Sequence, residues 1–285
     1  MYELLLRFRI VNEMNKIRKL SNLVLIPSSI KIFNPNNIFF YDSLNKKIEY
    51  KFIKESDGFA VTTSETREEY VKLFPQLKDK IVVIPPLLNP ELEDLKKESK
   101  FKYLINNDFI RMIFVGTLYS DIRNPKYFLS ALDEASKSVS ERIEVNFYGS
   151  INDFSPETLE IENLNVSFLD SIDRKLAYKK MQEADVLINI GNQTSYQLPS
   201  KLVEYAFLEK PIINFSSIKD DSSQRFLDNH KHAKTIMFNE RDNSEAISGL
   251  VEFLKLIGNH EESYNNDWLE DYRIKNIINS YENLF

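Results

Sequence analysis

Residues 191–215, GNQTSYQLPSKLVEYAFLEKPIINF, decide how the rest of the chain is read. Just before them, Val186 to Ile190 (VLINI) is a short unbroken apolar run, the pattern of a strand covered on both faces in a parallel sheet. Gly191 and Asn192 end that strand. Pro199 carries the fixed φ that suits the first turn of a helix, and the Ser200 side chain beside it is placed to accept a hydrogen bond from a free backbone N–H. The pattern predicts a helix over 199–208. Pro211 blocks further helix, and residues 212–215 resume as strand.

In such a βαβ unit the carboxyl end of the strand and the amino end of the helix share one edge of the sheet, where open α/β sheets bind ligands. The first N–H groups of the helix, around Ser200, Lys201 and Leu202, lack intrahelical partners, and the helix dipole adds partial positive charge. Phosphate is the expected occupant, and Lys201 reinforces it. Glu204, a turn further in and facing the same pocket, is too close to such a phosphate to serve as an attraction for it. It is explained if it accepts hydrogen bonds from vicinal hydroxyls, as on a ribose. The plainer alternative is a carboxylate favoured near the helix start by the dipole. Against it, a capping box wants Glu three positions after the cap, and Glu204 comes one later than that from Ser200.

With 285 residues, 42% of them hydrophobic, the chain can bury a substantial core in about two domains. Its 37 Lys and Arg against 43 Asp and Glu, a net charge of −6, argue against nucleic acid as a partner. The lack of cysteine excludes disulfides, thiolate metal sites and thiol nucleophiles, and fits the cytoplasm. His230, His232 and His260 read as surface loop residues rather than metal ligands. No apolar run has the length of a membrane span, and Arg7 and Arg9 interrupt the leucines that a signal peptide would need. Residues 1–20 have two readings: a core helix with solvated charges, or a basic helix resting on the inner face of an anionic membrane.

Along the chain, apolar runs at 23–27, 38–41, 59–63 and 81–85, with a helix at 65–73 between the last two, predict a small α/β domain over residues 1–88. The charged stretch 89–107 reads as a linker, partly helical. Residues 108–285 alternate again. Strands are predicted at 111–116, 144–148, 166–169, 186–190, 212–215 and 235–238, and helices at 126–135, 173–183 and 244–257. An aromatic tail near helical spacing follows from 263.

Pro199-Ser200-Lys201-Leu202-Val203-Glu204-Tyr205, followed by Lys210-Pro211-Ile212-Ile213, closely resembles the donor-site segment of nucleotide-sugar glycosyltransferases of the GT-B fold, in particular their retaining family four. The resemblance covers most of residues 108–285 and, more loosely, 50–90. It implies two Rossmann-like domains with parallel sheets, the N-terminal one incomplete, and a last helix that crosses back to the first domain. In that family two Glu with seven residues between them bracket the loop and helix. The second binds the ribose and is matched by Glu204; the first touches the donor sugar and falls on Tyr196. The family also places Gly-Arg and then a Lys after its opening strand, both basic groups contacting the diphosphate. Here Gly116 is followed by Thr117, and Arg123 stands near the Lys position. Arg123 reads either as the group that neutralises the leaving diphosphate or as an exposed loop arginine. The turn at Ser171 is expected against the nucleotide base. The resemblance thus assigns Arg123 and Lys201 to catalysis, and Gly116, Thr117, Ser171, Tyr196, Pro199, Ser200, Leu202 and Glu204 to substrate binding.

The implied activity is transfer of a hexose or related sugar from a nucleotide-sugar donor to a hydroxyl of a glycan or lipid-linked acceptor, in bacterial-type polysaccharide or glycoconjugate synthesis. A helix start with Arg123 and Lys201 supplies fixed positive potential to the leaving diphosphate, so neither metal nor cofactor is called for. The alternative is a non-catalytic or partner-dependent nucleotide-sugar-binding subunit, working with a second chain or as a homo-oligomer. It arises because the front half offers fewer strands than the family's acceptor domain, as if the chain began partway through it. A nucleotide-sugar epimerase is a third reading, which the scarcity of His and the Tyr196 substitution disfavour.

Overall fold

The computed structural model describes residues 42–98, 109–120, 123–191, 194–257 and 267–283. The helix expected within 1–20 and the strands expected at 23–27 and 38–41 lie outside these residues. The chain forms two compact units, one of the residues through Leu87 together with those from Asp271 onward, the other Leu88–Glu270.

The first unit begins with helix α1 (Asp42–Glu55), strand β1 (Phe59–Val61), helix α2 (Ser64–Leu73), a 3-10 segment (Pro75–Lys80) and strand β2 (Ile81–Val83). Thr63 caps α2, its hydroxyl accepting from the Thr66 N–H at 3.1 Å, and β1 pairs in parallel with β2. The core is built on Ile53, Phe59, Tyr70, Phe74 and Ile81, with the Phe59 and Tyr70 rings edge to face. Helix α1 has no counterpart in the sequence analysis. Its polar average conceals the buried Ile53 and the packing of Tyr50 on Phe74.

The second unit carries α3 (Pro90–Glu98), β3 (Phe109–Val115), α4 (Lys126–Ser136), β4 (Arg142–Tyr148), β5 (Leu164–Leu169), α5 (Arg174–Glu183), β6 (Val186–Ile190), α6 (Ser200–Phe207), β7 (Ile212–Ser216), α7 (Ser222–Leu227), β8 (Ala233–Met237) and α8 (Ser244–Ile257). Its strands form one parallel sheet in the order β5-β4-β3-β6-β7-β8. Every residue of β6 and β7 is buried, as the unbroken apolar runs require. Phe128, Leu129 and Leu132 of α4 and Leu250, Phe253 and Leu254 of α8 share the core, where the two helices pack together. β3, β4, β5 and β8 start two residues before the predicted runs. Ladder pairing such as Phe109 with Arg142 extends each strand past the edge of its continuous apolar run.

Counted from β3, that strand order is the dinucleotide-binding arrangement, with its topological switch between β3 and β6. β3 stays paired with β4 as far as Val115 and Tyr148, but with β6 its register holds only Met112 with Val186 and Ile113 with Leu187. The two central strands part beyond that point. The Val115 N–H turned to the gap finds the Tyr205 hydroxyl of α6 at 2.8 Å. Two amides buried inside the sheet form a satisfied relay: Asn189 donates to Asn214, and Asn214 donates to Asp221 and Thr235.

The tail, expected to be helical from 263, is a 3-10 segment (Asp267–Tyr272) followed by α9 (Ile274–Glu282). Trp268 packs edge-on against Phe226, while Ile277 and Tyr281 join Ala60 and Ile84 in the first unit. His230 corrects the surface reading of the histidines. It follows α7 and is 4% exposed, its N–H donating to the Leu227 carbonyl, while His232 is half-buried. His260 lies outside the described residues. No described helix is long and apolar enough to cross a membrane.

Candidate functional site

Three loops leave the sheet at its carboxyl edge, after β3, β4 and β5, and are bound to one another. The Gly116 N–H donates to the Tyr148 carbonyl at 2.9 Å, and the Leu118 N–H to the Ser150 carbonyl at 3.0 Å. Gly149 has φ +147°, and a Cβ there would stand 1.8 Å from the Gly116 carbonyl oxygen, so a glycine is required. The Ser120 N–H and hydroxyl both donate to Asp153, and the Ser150 and Ser171 hydroxyls are hydrogen-bonded at 3.2 Å. Gly116, Thr117 and Ser171 therefore stand on adjoining, mutually braced turns. The close approach at Gly116 is made by the Gly149 backbone, and the Gly116 amide is already committed.

Arg123 closes the first of these loops through a bridge to Tyr119. Its guanidinium lies beside Gly116 and next to Tyr205. Burial lowers its pKa, the two tyrosines oppose that shift, and the group remains a cation. It is half-buried, unlike the exposed arginine of the alternative reading.

Helix α6 begins one residue later than predicted. Pro199, with ψ 122°, is its N-cap, and no side chain caps it, so Ser200 does not play the capping part expected of it and is exposed. The Leu202 N–H also differs from expectation, because it donates to the Pro199 carbonyl at 3.0 Å and its side chain is fully buried. The N–H groups of Ser200 and Lys201, the first two helical residues, have no intrahelical carbonyl to reach. Ahead of the helix, the loop bearing Tyr196 is strapped to α7: Arg225 donates to the Ser195 carbonyl and the Ser222 hydroxyl to that of Gln197.

Glu204, read as facing the pocket at the helix start, is buried among partners of its own. It is 4% exposed. Arg174 Nη2 lies 2.8 Å from its Oε1, the Tyr178 hydroxyl donates to the same oxygen at 3.1 Å, and Lys201 Nζ lies 2.7 Å from Oε2. The physical reason is that a buried carboxylate needs neutralising charge and filled hydrogen bonds. The start of α5 supplies a cation thirty residues away that no local pattern announces. Arg174 is pulled two ways, burial lowering its pKa while the Glu204 charge and hydrogen bond raise it. The net shift is upward. Burial, then the Glu204 charge, push the Tyr178 phenol up, so it stays a donor. Arg174, Tyr178, Asn89, Gly149 and the hydroxyl of Tyr205 are site groups that the motif around Pro199 does not mark. Their signals in sequence are only the i, i+4 spacing of Arg174 and Tyr178 and the Asn89-Pro90 helix start.

The helix start, three cations and a carboxylate thus gather where β3 and β6 diverge, the position at which doubly wound sheets hold nucleotides. The architecture, a six-stranded parallel sheet with a small two-stranded one, is of the GT-B glycosyltransferase type. The chain is similar to the pneumococcal O-GlcNAc transferase GtfA in complex with UDP and GlcNAc, at 15% identity and a TM-score of 0.55 over 84% of this chain. It is similar to WaaG, a glycosyltransferase involved in lipopolysaccharide biosynthesis, at 12% identity and a TM-score of 0.54 over 88% of this chain. It is similar to Anabaena HepE in complex with UDP, at 12% identity and a TM-score of 0.55 over 96% of this chain. It spans 47% of the length of GtfA, 77% of WaaG and 74% of HepE. No family model and no curated protein matches the sequence.

Proposed function

We propose that the chain binds a nucleotide sugar at the start of α6 and moves its sugar to a hydroxyl acceptor in bacterial-type glycan or glycoconjugate synthesis. The observation that carries this reading is the meeting of the α6 start, Lys201 and Glu204 with Gly116 and Arg123 at the switch point. When the sugar leaves, negative charge grows on the diphosphate. Lys201, Arg123 and the first amides of α6 form a fixed positive potential for it. Glu204 is the acceptor for the ribose hydroxyls, and Ser171 lines the side of the base. GtfA and HepE, solved with UDP, make a uridine donor the first to test.

Glu204→Ala is expected to weaken nucleoside-diphosphate binding by about 1–3 kcal/mol. Titration calorimetry reads this directly, and an unaltered affinity rejects the ribose role. A second reading, a nucleotide-sugar-binding subunit without transfer activity, is favoured by Tyr196, which puts a phenol where the resemblance wants a carboxylate against the donor sugar. Release of free nucleoside diphosphate in the presence of an acceptor supports the transferase. Binding without such release supports the subunit.

A further inference from the structure

The groups that hold Glu204 are of two kinds. On Oε1 sit the Tyr178 hydroxyl and Arg174 Nη2; on Oε2 sits Lys201 Nζ. The Tyr178 hydroxyl has one proton and two lone pairs. Arg174 Nε and Asn89 Nδ2, each at 2.6 Å, are groups that only donate, and they fill the lone pairs. The one phenolic proton therefore goes to Glu204. The Asn89 amide is not free to turn over, because its Oδ1 accepts from the Glu91 N–H at 3.1 Å. The relay from the Glu91 N–H through Asn89 and Tyr178 to Glu204 has a single polarity, and its middle members are buried: Tyr178 is 0% and Asn89 2% exposed.

Lys201 is different in kind. Its exposure, 31%, is close to the 28% of Arg174, but Arg174 is also tied to Tyr178 through Nε, whereas Lys201 stands three residues before Glu204 on the same helix and ends in a flexible, strongly hydrated ammonium. Moving that ion a few ångströms to a phosphate keeps it hydrated and leaves Arg174 to balance the Glu204 charge, whereas withdrawing the phenol would strand the buried Asn89 donor.

We propose that Tyr178, fixed by Asn89 and Arg174, is the positioning residue that holds one oxygen of Glu204. On this proposal Lys201 is the exchangeable partner, yielding the other oxygen to the vicinal hydroxyls of a ribonucleotide and turning to its diphosphate. This rests on the reading of Glu204 as a ribose acceptor. It makes the site a reader of ribose against deoxyribose: a missing 2′-hydroxyl leaves the vacated oxygen short of a donor after Lys201 has gone.

The test is calorimetric titration of the full chain with UDP, GDP and ADP and with their 2′-deoxy counterparts. The wild type is expected to bind the preferred ribonucleotide about tenfold or more tightly than its deoxy form. Tyr178→Phe is expected to bring that ratio to within about twofold of unity. Loss of mere packing would weaken both ligands together and leave the ratio alone, so an unchanged ratio in a folded Tyr178→Phe protein overturns the proposal. Glu204→Gln separates the two levels. If it removes discrimination and Tyr178→Phe does not, only the positioning role fails; if it too preserves discrimination, or the wild type binds none of these nucleotides, the ribose reading falls first. Should circular dichroism show that the Phe variant does not fold, Asn89→Ala carries the same measurement, a reduced ratio supporting the role and a wild-type ratio overturning it.

Discussion

At the scale of single residues, Gly149 shows how a position with no side chain shapes the site. Its positive φ and the 1.8 Å clearance to the Gly116 oxygen leave no room for a methyl group. Gly149→Ala must push the Gly116 turn away or twist its own backbone. It is expected to cost about 3 kcal/mol or more, beyond the usual range of a surface change. Urea denaturation measures the loss; one under about 1 kcal/mol would mean that the Gly116 turn gives way easily. Lys201 and Glu204 were legible from their spacing after Pro199, because a helix start advertises itself in sequence. The distant partners of Glu204 were not, since Arg174 and Tyr178, the latter held by Asn89, reach it only once α5 has packed.

Among elements, α6 is the one whose placement matters most. Its first residues were legible to within one position, because proline constrains the chain locally. Its attachment was not. The divergence of β3 from β6 strands the Val115 N–H, and the Tyr205 hydroxyl takes that bond. Tyr205→Phe keeps the ring and removes the acceptor, so it is expected to lower stability by about 1–3 kcal/mol in chemical denaturation. A neutral result would mean that the amide finds another partner. β6 and β7 were read within a residue for the opposite reason: strands covered on both faces are continuous apolar runs, and the runs were visible. Helix α1, polar on average and buried through few residues, was not.

For the molecule as a whole, His230 sets an acid limit. Burial, then the neighbouring His232, hold its pKa down to about 4, against an ordinary 6.5, so the folded chain keeps the ring neutral. Above pH 6.5 both states are neutral and the stability is complete. As pH falls below 6.5 the unfolded chain takes up a proton that the native ring refuses until about pH 4, and stability is lost across that window, about 3 kcal/mol in all. Comparing unfolding free energies at pH 7 and pH 4.5, the wild type is expected to lose about 2–3 kcal/mol more than His230→Gln. Equal losses would remove His230 as the cause. The ring lines a polar cavity of about 300 Å³ beside β8, with Gln224, Asp228 and Thr235, away from the start of α6.

Sequence alone determined the alternation of strand and helix, the six parallel strands of the second unit and the helix start that follows Pro199. These follow from local rules: apolar periodicity, the rigidity of proline and the open amides of a helix start. Tertiary structure decided the state of the site. Only folding could bring Arg174 and Tyr178 onto Glu204 and Asn89 onto Tyr178, seat Gly149 against Gly116 and fill the gap between β3 and β6 with Tyr205. A buried charge takes whatever partners packing delivers, and their distance along the chain plays no part in that choice.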